Sequence, residues 1–216
     1  MTKVYDWQQV INKEELADCV QTLRKGGVII FPTETVYGIG TNAYCEESVK
    51  KIYEVKQRPG EKPLSIMVGN AEEISKYAVI SNEIEEKIIK NFMPGPLTII
   101  LKKKTGIFDY ISSGKDTIGI RIPDNKMIMS ILKESKLPVV APSANISGKP
   151  SGIILEEILK DFDGKVDICI NGGKAKLSEP STIVQVIDNK PVILRQGKIK
   201  LEEIEEVLKN RDKGRN

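Results

Sequence analysis

Apolar residues recur at helical spacing in some stretches of the chain and form short unbroken runs in others. Leu16, Val20 and Leu23 predict a helix that ends at Gly26-Gly27. Similar patterns predict helices around 49–56, 84–89, 127–132, 155–159 and 201–208. Short apolar runs predict strands at 28–31, 64–68, 97–101, 117–122, 139–140, 166–170, 182–187 and 192–194.

The helices and strands alternate along the whole chain, which favours an α/β fold with a mixed sheet. We expect Ser81 to cap the helix that follows it, and residues 188–191 to join the last two strands in a hairpin. No stretch resembles a linker or an internal repeat. We therefore expect one domain over residues 1–210, followed by a polar tail over 211–216.

The absence of histidine excludes several kinds of catalysis. The 216 residues include 33 Lys and Arg, 30 Asp and Glu and no histidine, for a net charge of +3. Ser-His-Asp and Cys-His catalysis, His-ligated zinc and an imidazole base are therefore excluded. The small net charge alone does not indicate a nucleic-acid partner.

The three cysteines are too far apart for a paired motif. Cys19, Cys45 and Cys169 form no CxxC pair, so we expect neither a disulfide framework nor a thiolate metal site. A reducing, cytoplasmic location fits this pattern best. The N-terminus has no apolar region typical of a signal peptide, and no apolar run has the length of a membrane span, so we expect no membrane association.

Polar segments follow several predicted strands, at the edge where open α/β sheets usually bind ligands. In the first, Pro32–Gly40, we expect a turn that brings the hydroxyls of Thr33 and Thr35 to the rim of the sheet. Taken alone, these threonines are equally well explained as β-formers around a turn. Gly38 and Gly40 imitate a dinucleotide fingerprint, but no helix follows directly and no acidic residue closes the next strand.

The second segment, residues 56–63, carries Lys56, Arg58 and Lys62 in a loop stiffened by two prolines. A rigid cationic loop suits a polyphosphate, although such residues more often compensate a helix dipole or remain solvated. Arg121 lies at the end of an apolar strand, where it must reach water or meet an anion. There is no Walker A motif, so any nucleotide binds outside the P-loop scheme.

Taken together, the motifs resemble the YrdC-like threonylcarbamoyl-AMP synthase family from about Trp7 to Gly197. The motifs occur in one order: Pro-Thr-Glu-Thr-Val-Tyr-Gly, Lys-x-Arg-Pro, Pro-Gly-Pro-Leu-Thr, Arg-Ile-Pro and Ala-Pro-Ser-Ala-Asn-x-Ser-Gly. The resemblance implies a twisted, open, mixed sheet flanked by helices, with a basic concave face. The chain resembles the short, single-domain form of the family.

The activity implied by this resemblance joins L-threonine, bicarbonate or CO₂, and ATP into L-threonylcarbamoyl-AMP, with release of pyrophosphate. Other proteins then transfer the threonylcarbamoyl group to adenosine 37 of tRNA. Positioning and charge stabilisation carry such a reaction, so no protein nucleophile is needed. Mg²⁺ is expected with ATP and not at a permanent protein site. Weak contact with tRNA or other RNA is compatible with a basic face.

The resemblance also implies roles for individual residues. Lys56 and Arg58 are the expected catalytic cations. The expected threonine contacts are Thr35, Met67, Arg121, Ser143 and Ser181, and the expected ATP contacts are Arg58, Lys62, Thr117, Asn145 and Arg195. Met67 and Pro180 depart from the residues common in the family, a histidine and a glutamate. Two alternatives stay open, an RNA-binding module without adenylation activity and a paralogue that adenylates a carbamoyl group.

Overall fold

The computed structural model describes residues 1–209, so the predicted tail over 211–216 and the domain boundary at 210 lie outside the described residues. The strands are β1 Lys3–Asp6, β2 Ile29–Phe31, β3 Gly38–Asn42, β4 Ser65–Met67, β5 Ala78–Val79, β6 Leu97–Lys103, β7 Thr117–Arg121, β8 Val139–Val140, β9 Ile168–Asn171, β10 Thr182–Ile187 and β11 Lys190–Arg195. The helices are α1 Lys13–Arg24, α2 Glu46–Val55, α3 Ile74–Tyr77, α4 Glu83–Phe92, α5 Asp109–Ser112, α6 Lys126–Ser135, α7 Leu155–Phe162 and α8 Leu201–Lys209.

The strands form one open, mixed sheet with helices on both faces, as predicted. Its order is β1-β9-β2-β3-β8-β4-β7-β6-β10-β11, and β5 pairs with β6. Pairing is parallel for β1 with β9, β2 with β9, β4 with β7 and β6 with β10, and antiparallel elsewhere. Because neighbours in the sheet are distant in sequence, the site is assembled from segments far apart along the chain.

Alternating side chains of the strands build two separate cores. In β2, Ile30 belongs to the larger core, which also holds the apolar residues of α2, α4, α7 and α8. Ile29 and Phe31 point to the opposite face, where α1 and α6 cover them. On this second face the helical cover extends over β9, β2 and β8, and β4 contributes Met67 at its border.

Two local predictions about caps and turns were wrong in detail. Asn82, and not Ser81, caps α4: its side chain accepts from the Glu85 backbone N–H, while the Glu85 carboxylate accepts from the Ser81 N–H at 2.6 Å. The hairpin turn contains only Asp188 and Asn189, both with positive φ, which suits a two-residue hairpin loop. The two residues that follow therefore pair within β11.

The glycine-rich segment after residue 37 is a strand that the sequence pattern did not predict. A Cβ on Gly38 would lie 2.7 Å from the Phe31 ring, and one on Gly40 would lie 2.6 Å from the Val140 carbonyl oxygen. These glycines therefore permit close packing of β3 against its neighbours. Because they lie inside a strand and not in a strand-to-helix turn, the dinucleotide fingerprint is ruled out. The short elements β1, β5, α3 and α5 were also not predicted.

Within residues 1–209, none of the helices is both long enough and apolar enough to span a bilayer.

Candidate active site

One cavity lies over a face of the sheet, beyond the cover of α1 and α6. Its volume is about 300 Å³. Alternate residues of four strands form its floor, namely Ser65 and Met67, Thr98 and Ile100, Thr117, Gly119 and Arg121, and Ile183 and Gln185. Residues of the polar segments that follow the strands line the same cavity. Its floor is a face of the sheet, because side chains two apart on a strand share one face.

Two loops stand beside this floor as a wall. The loop after β2 contributes Thr33 and Thr35, whose hydroxyl oxygens lie 2.8 Å apart. The Thr33 hydroxyl also donates to the Val36 carbonyl at 2.6 Å and accepts from the Thr35 N–H. The loop after β8 joins the first through a bridge between Gly38 and Ser143. These bonds make the wall of hydroxyl groups rigid.

The cavity is lined by four cationic side chains, those of Arg58, Lys115, Arg121 and Arg195. Among the described residues that line it, none is Asp or Glu. Burial, followed by the nearby charges of Arg121 and Arg58, lowers the pKa of Arg195. The mutual repulsion of these guanidinium groups is relieved when an anion enters, so the cavity favours anionic ligands.

Arg121 meets a carboxylate that the sequence analysis did not include in the site. Its Nη2 donates to Glu34 Oε1 at 2.6 Å, and its Nε donates to the Gly95 carbonyl at 3.2 Å. The two side chains are almost fully buried, with exposed fractions of 7% and 8%. The protein itself thus provides the anion expected near Arg121, in the form of the Glu34 carboxylate.

Arg195 is fixed against the start of β10. Its Nη2 donates to the Ser181 carbonyl at 2.7 Å and to the Ser181 hydroxyl at 3.1 Å. That hydroxyl lies 3.0 Å from the Thr98 hydroxyl on the neighbouring strand. The contacts place a cation and two hydroxyls together at one end of the cavity.

Arg58 holds the cationic loop in shape through backbone contacts. Its Nε donates to the Lys62 carbonyl at 3.2 Å and its Nη2 donates to the Pro63 carbonyl at 2.9 Å. Burial lowers the pKa of Arg58. The backbone carbonyl of Lys62 accepts the bond from Arg58 Nε, but Lys62 is not among the residues that line the cavity. Its expected contact with ATP stays a prediction.

Lys56 is buried, with an exposed fraction of 2%, and it does not line the cavity. Its Nζ donates to the carbonyls of Ser143 and Asn145, each at 2.6 Å. Burial, and to a lesser extent the charge of Arg58, lowers the pKa of Lys56 to about 8. In this structure its direct role is to anchor the loop after β8, and not to compensate the dipole of its own helix.

Asn145 is engaged within the same loop. Its Oδ1 accepts from the Ser143 hydroxyl at 2.5 Å, and its Nδ2 donates to the carbonyls of Ile146 and Lys149. Asn145 does not line the cavity, so its expected contact with ATP also stays a prediction. Of the other predicted site residues, the cavity is lined by Thr35, Met67, Thr117, Arg121, Ser143, Ser181, Arg58 and Arg195.

Among residues 1–209 there is no group of three or more Cys, Asp or Glu side chains placed to hold a metal ion. None of the described residues that line the cavity carries a carboxylate, the side-chain group through which proteins usually bind Mg²⁺. The residues present fit a polyanion that brings its own counter-ion.

The fold and the cavity together define an α/β protein with a cation-lined cavity on an open sheet face. The model of the Sua5/YciO/YrdC family, described as "Telomere recombination", matches residues 21–197. The chain belongs to this family.

Named relatives support this assignment over most of the chain. A threonylcarbamoyl-AMP synthase of Pyrococcus abyssi is 38% identical over 96% of this chain, and the match covers 61% of that protein. A putative threonylcarbamoyl-AMP synthase of Methanocaldococcus jannaschii is 45% identical over 94% of this chain and 95% of its own length. The chain thus spans about three-fifths of the first relative and nearly all of the second.

A solved structure supports the fold directly. P. abyssi Sua5, complexed with L-threonine, matches this structure with a TM-score of 0.92 at 38% identity. The match covers 96% of this chain and 61% of that one. The twisted open sheet flanked by helices is therefore the family's fold.

Proposed function

We propose that the protein synthesises L-threonylcarbamoyl-AMP from L-threonine, bicarbonate or CO₂, and ATP, and releases pyrophosphate. The observation that carries this proposal is one cavity in which three arginines lie beside a wall of hydroxyl groups. The names of the relatives, and the threonine complex of one of them, support this substrate set.

In the proposed reaction the amine of threonine attacks CO₂, loses a proton and becomes a carbamate. A carbamate oxygen then attacks the α-phosphorus of ATP, and pyrophosphate leaves with the electron pair of the broken P–O bond. Arg58 and Arg195 neutralise the phosphates, Arg121 receives the threonine carboxylate, and Thr35, Ser143 and Ser181 orient the amino acid. The buried charge of Lys56 adds to this field, and effective stabilisation requires such fixed charges. Mg²⁺ accompanies ATP and is held by its phosphates.

The product is a mixed anhydride that water hydrolyses, so a partner must accept it promptly. We propose that tRNA-modifying transferases use it to make threonylcarbamoyladenosine at position 37. A cytoplasmic location belongs to the same proposal and is supported by the three free cysteines.

Omission of single reactants tests this function. Pyrophosphate release from ATP should require both threonine and bicarbonate. Turnover that depends on carbamoyl phosphate, without threonine, would indicate the carbamoyl-adenylating alternative. RNA binding that weakens steeply with salt, in a protein that cleaves no ATP, would indicate the RNA-binding alternative.

A further inference from the structure

Glu34 carries a buried carboxylate oxygen that has no partner. Its Oε1 is bound by Arg121, but its Oε2 accepts no hydrogen bond from any residue in 1–209. An unsatisfied buried oxygen costs free energy because it has lost its water, and native proteins keep few of them. The pair lies directly at the cavity, because Arg121 lines it. The burial of the Glu34 carboxylate beside the cavity therefore has to be explained by its contact with Arg121.

The contacts of Arg121 occupy only one edge of its guanidinium group. Nε and Nη2 are neighbouring donors, and they bind Gly95 and Glu34. Nη1 donates to no residue within the described part of the chain. The edge formed by Nη1 and Nη2 thus remains available for a planar acceptor with two oxygens, such as a carboxylate.

Glu34 is held on a rigid support. Its carbonyl accepts from the Leu177 N–H at 2.8 Å, and its neighbours Thr33 and Thr35 hydrogen-bond each other. These neighbours also form the hydroxyl wall of the cavity. Glu34 therefore ties the orientation of Arg121 to the position of that wall.

We propose that Glu34 is a positioning residue for the amino-acid substrate. It fixes the plane of the Arg121 guanidinium so that the free edge receives the α-carboxylate while the adjacent wall receives the side-chain hydroxyl. This inference rests on the proposed function and adds to it the residue that aligns the two recognition groups.

The variants E34Q and E34D test the role through threonine binding measured by calorimetry. Gln removes the charge that holds Arg121, and Asp keeps the charge but withdraws it by one methylene. We expect roughly 10- to 100-fold weaker threonine binding in each, by analogy with residues that orient the ligands of a metal ion. ATP binding should be unchanged. The control is E85Q, another buried carboxylate, which accepts from Ser81 at the start of α4.

Comparison with L-threoninol, which lacks the carboxylate, separates positioning from general damage. The wild-type protein should prefer threonine over threoninol, and this preference should shrink in E34Q and E34D while E85Q retains it. Equal weakening of both ligands, or wild-type threonine binding in E34Q or E34D, overturns the inference. If E34Q does not fold, E34D alone decides. If the wild-type protein binds no threonine, the proposed function fails and this inference with it. That result differs from failure of the inference alone, in which the wild-type protein binds threonine and the Glu34 variants bind it equally well.

Discussion

At Lys56 an ammonium group is held inside the protein by two backbone carbonyls. Its Nζ binds Ser143 and Asn145, which lie 87 and 89 positions further along the chain. Lys56→Ala would leave two carbonyls without their donor, at a cost of about 1–3 kcal/mol each. Such a variant loses stability and activity together, so a titration tests the charge of Lys56 more cleanly than a truncation.

We expect threonine-dependent pyrophosphate release to fall as the pH rises through about 8, because Lys56 then loses its charge. Between pH 8 and 10.5 the unfolded chain keeps the proton that the folded protein has released, since burial lowers the folded pKa from 10.5 to about 8. The contribution of this group to stability therefore rises with pH in that window. Rates measured across the window, with urea unfolding at each pH as the control, test this. A constant rate contradicts it.

Arg121→Lys should raise the KM for threonine by about 10- to 100-fold and leave the KM for ATP nearly unchanged. Lysine retains the charge opposite Glu34 but has no planar fork for a carboxylate. Arg58→Lys is the matched variant, and it should raise the KM for ATP and spare that for threonine. Steady-state kinetics with each substrate varied in turn check both. An exchanged pattern means that the two arginines are assigned to the wrong ligands.

Most of the side chains predicted for the site line the cavity, but the sequence indicated few of their protein partners. Arg121 at an apolar strand end signalled an anion, yet nothing in the local pattern pointed to Glu34, 87 positions earlier. The same holds for Lys56, whose acceptors are backbone groups of a distant loop. Residue type indicates what a group can bind, whereas the tertiary fold decides what it meets.

Among the elements, β3 shows why a strand can be missed. Glycine is depleted in strands, so Gly38-Ile39-Gly40 reads as a turn from composition alone. In the sheet, these glycines lie where the Phe31 ring and the β8 backbone approach closely. The alternation of Thr117, Gly119 and Arg121 was a usable signal, since it places three site positions on one face of β7.

Gly40→Ala should destabilise the protein by about 1–3 kcal/mol, the usual cost of overpacking. The added Cβ would lie 2.6 Å from the Val140 carbonyl oxygen and 2.8 Å from Val139 Cγ1. Gly60→Ala is the control, because a Cβ there meets nothing within 4 Å. Urea unfolding of both variants checks the prediction. Equal stability of the two would mean that close packing does not explain the glycines of β3.

Over the whole molecule, the alternation of helices and strands was enough for the fold class, and the ordered motifs were enough for the family. The position of the cavity was not predictable, because it depends on where α1 and α6 end above the sheet. Their cover stops at the border with β4, and the exposed face beyond becomes the binding surface.

Amino-acid selectivity follows from the shape of the whole cavity. Serine should be a poorer substrate than threonine but still used, since one methyl group is worth only about 1–3 kcal/mol. Valine should be used far less than serine, because it has no hydroxyl group to bind the hydroxyl wall at Thr33 and Thr35. The ratio kcat/KM for the three amino acids tests this, with equal values for valine and threonine as the contradicting result.

The most direct test of the proposed function follows the carbon of bicarbonate into the product. ¹³C-bicarbonate, threonine and ATP are incubated with the protein, and the nucleotides are analysed by mass spectrometry. We predict an AMP adduct that contains threonine and one labelled carbon, formed in step with pyrophosphate. Cleavage of ATP without a labelled adduct, or to ADP and phosphate instead of pyrophosphate, would contradict it.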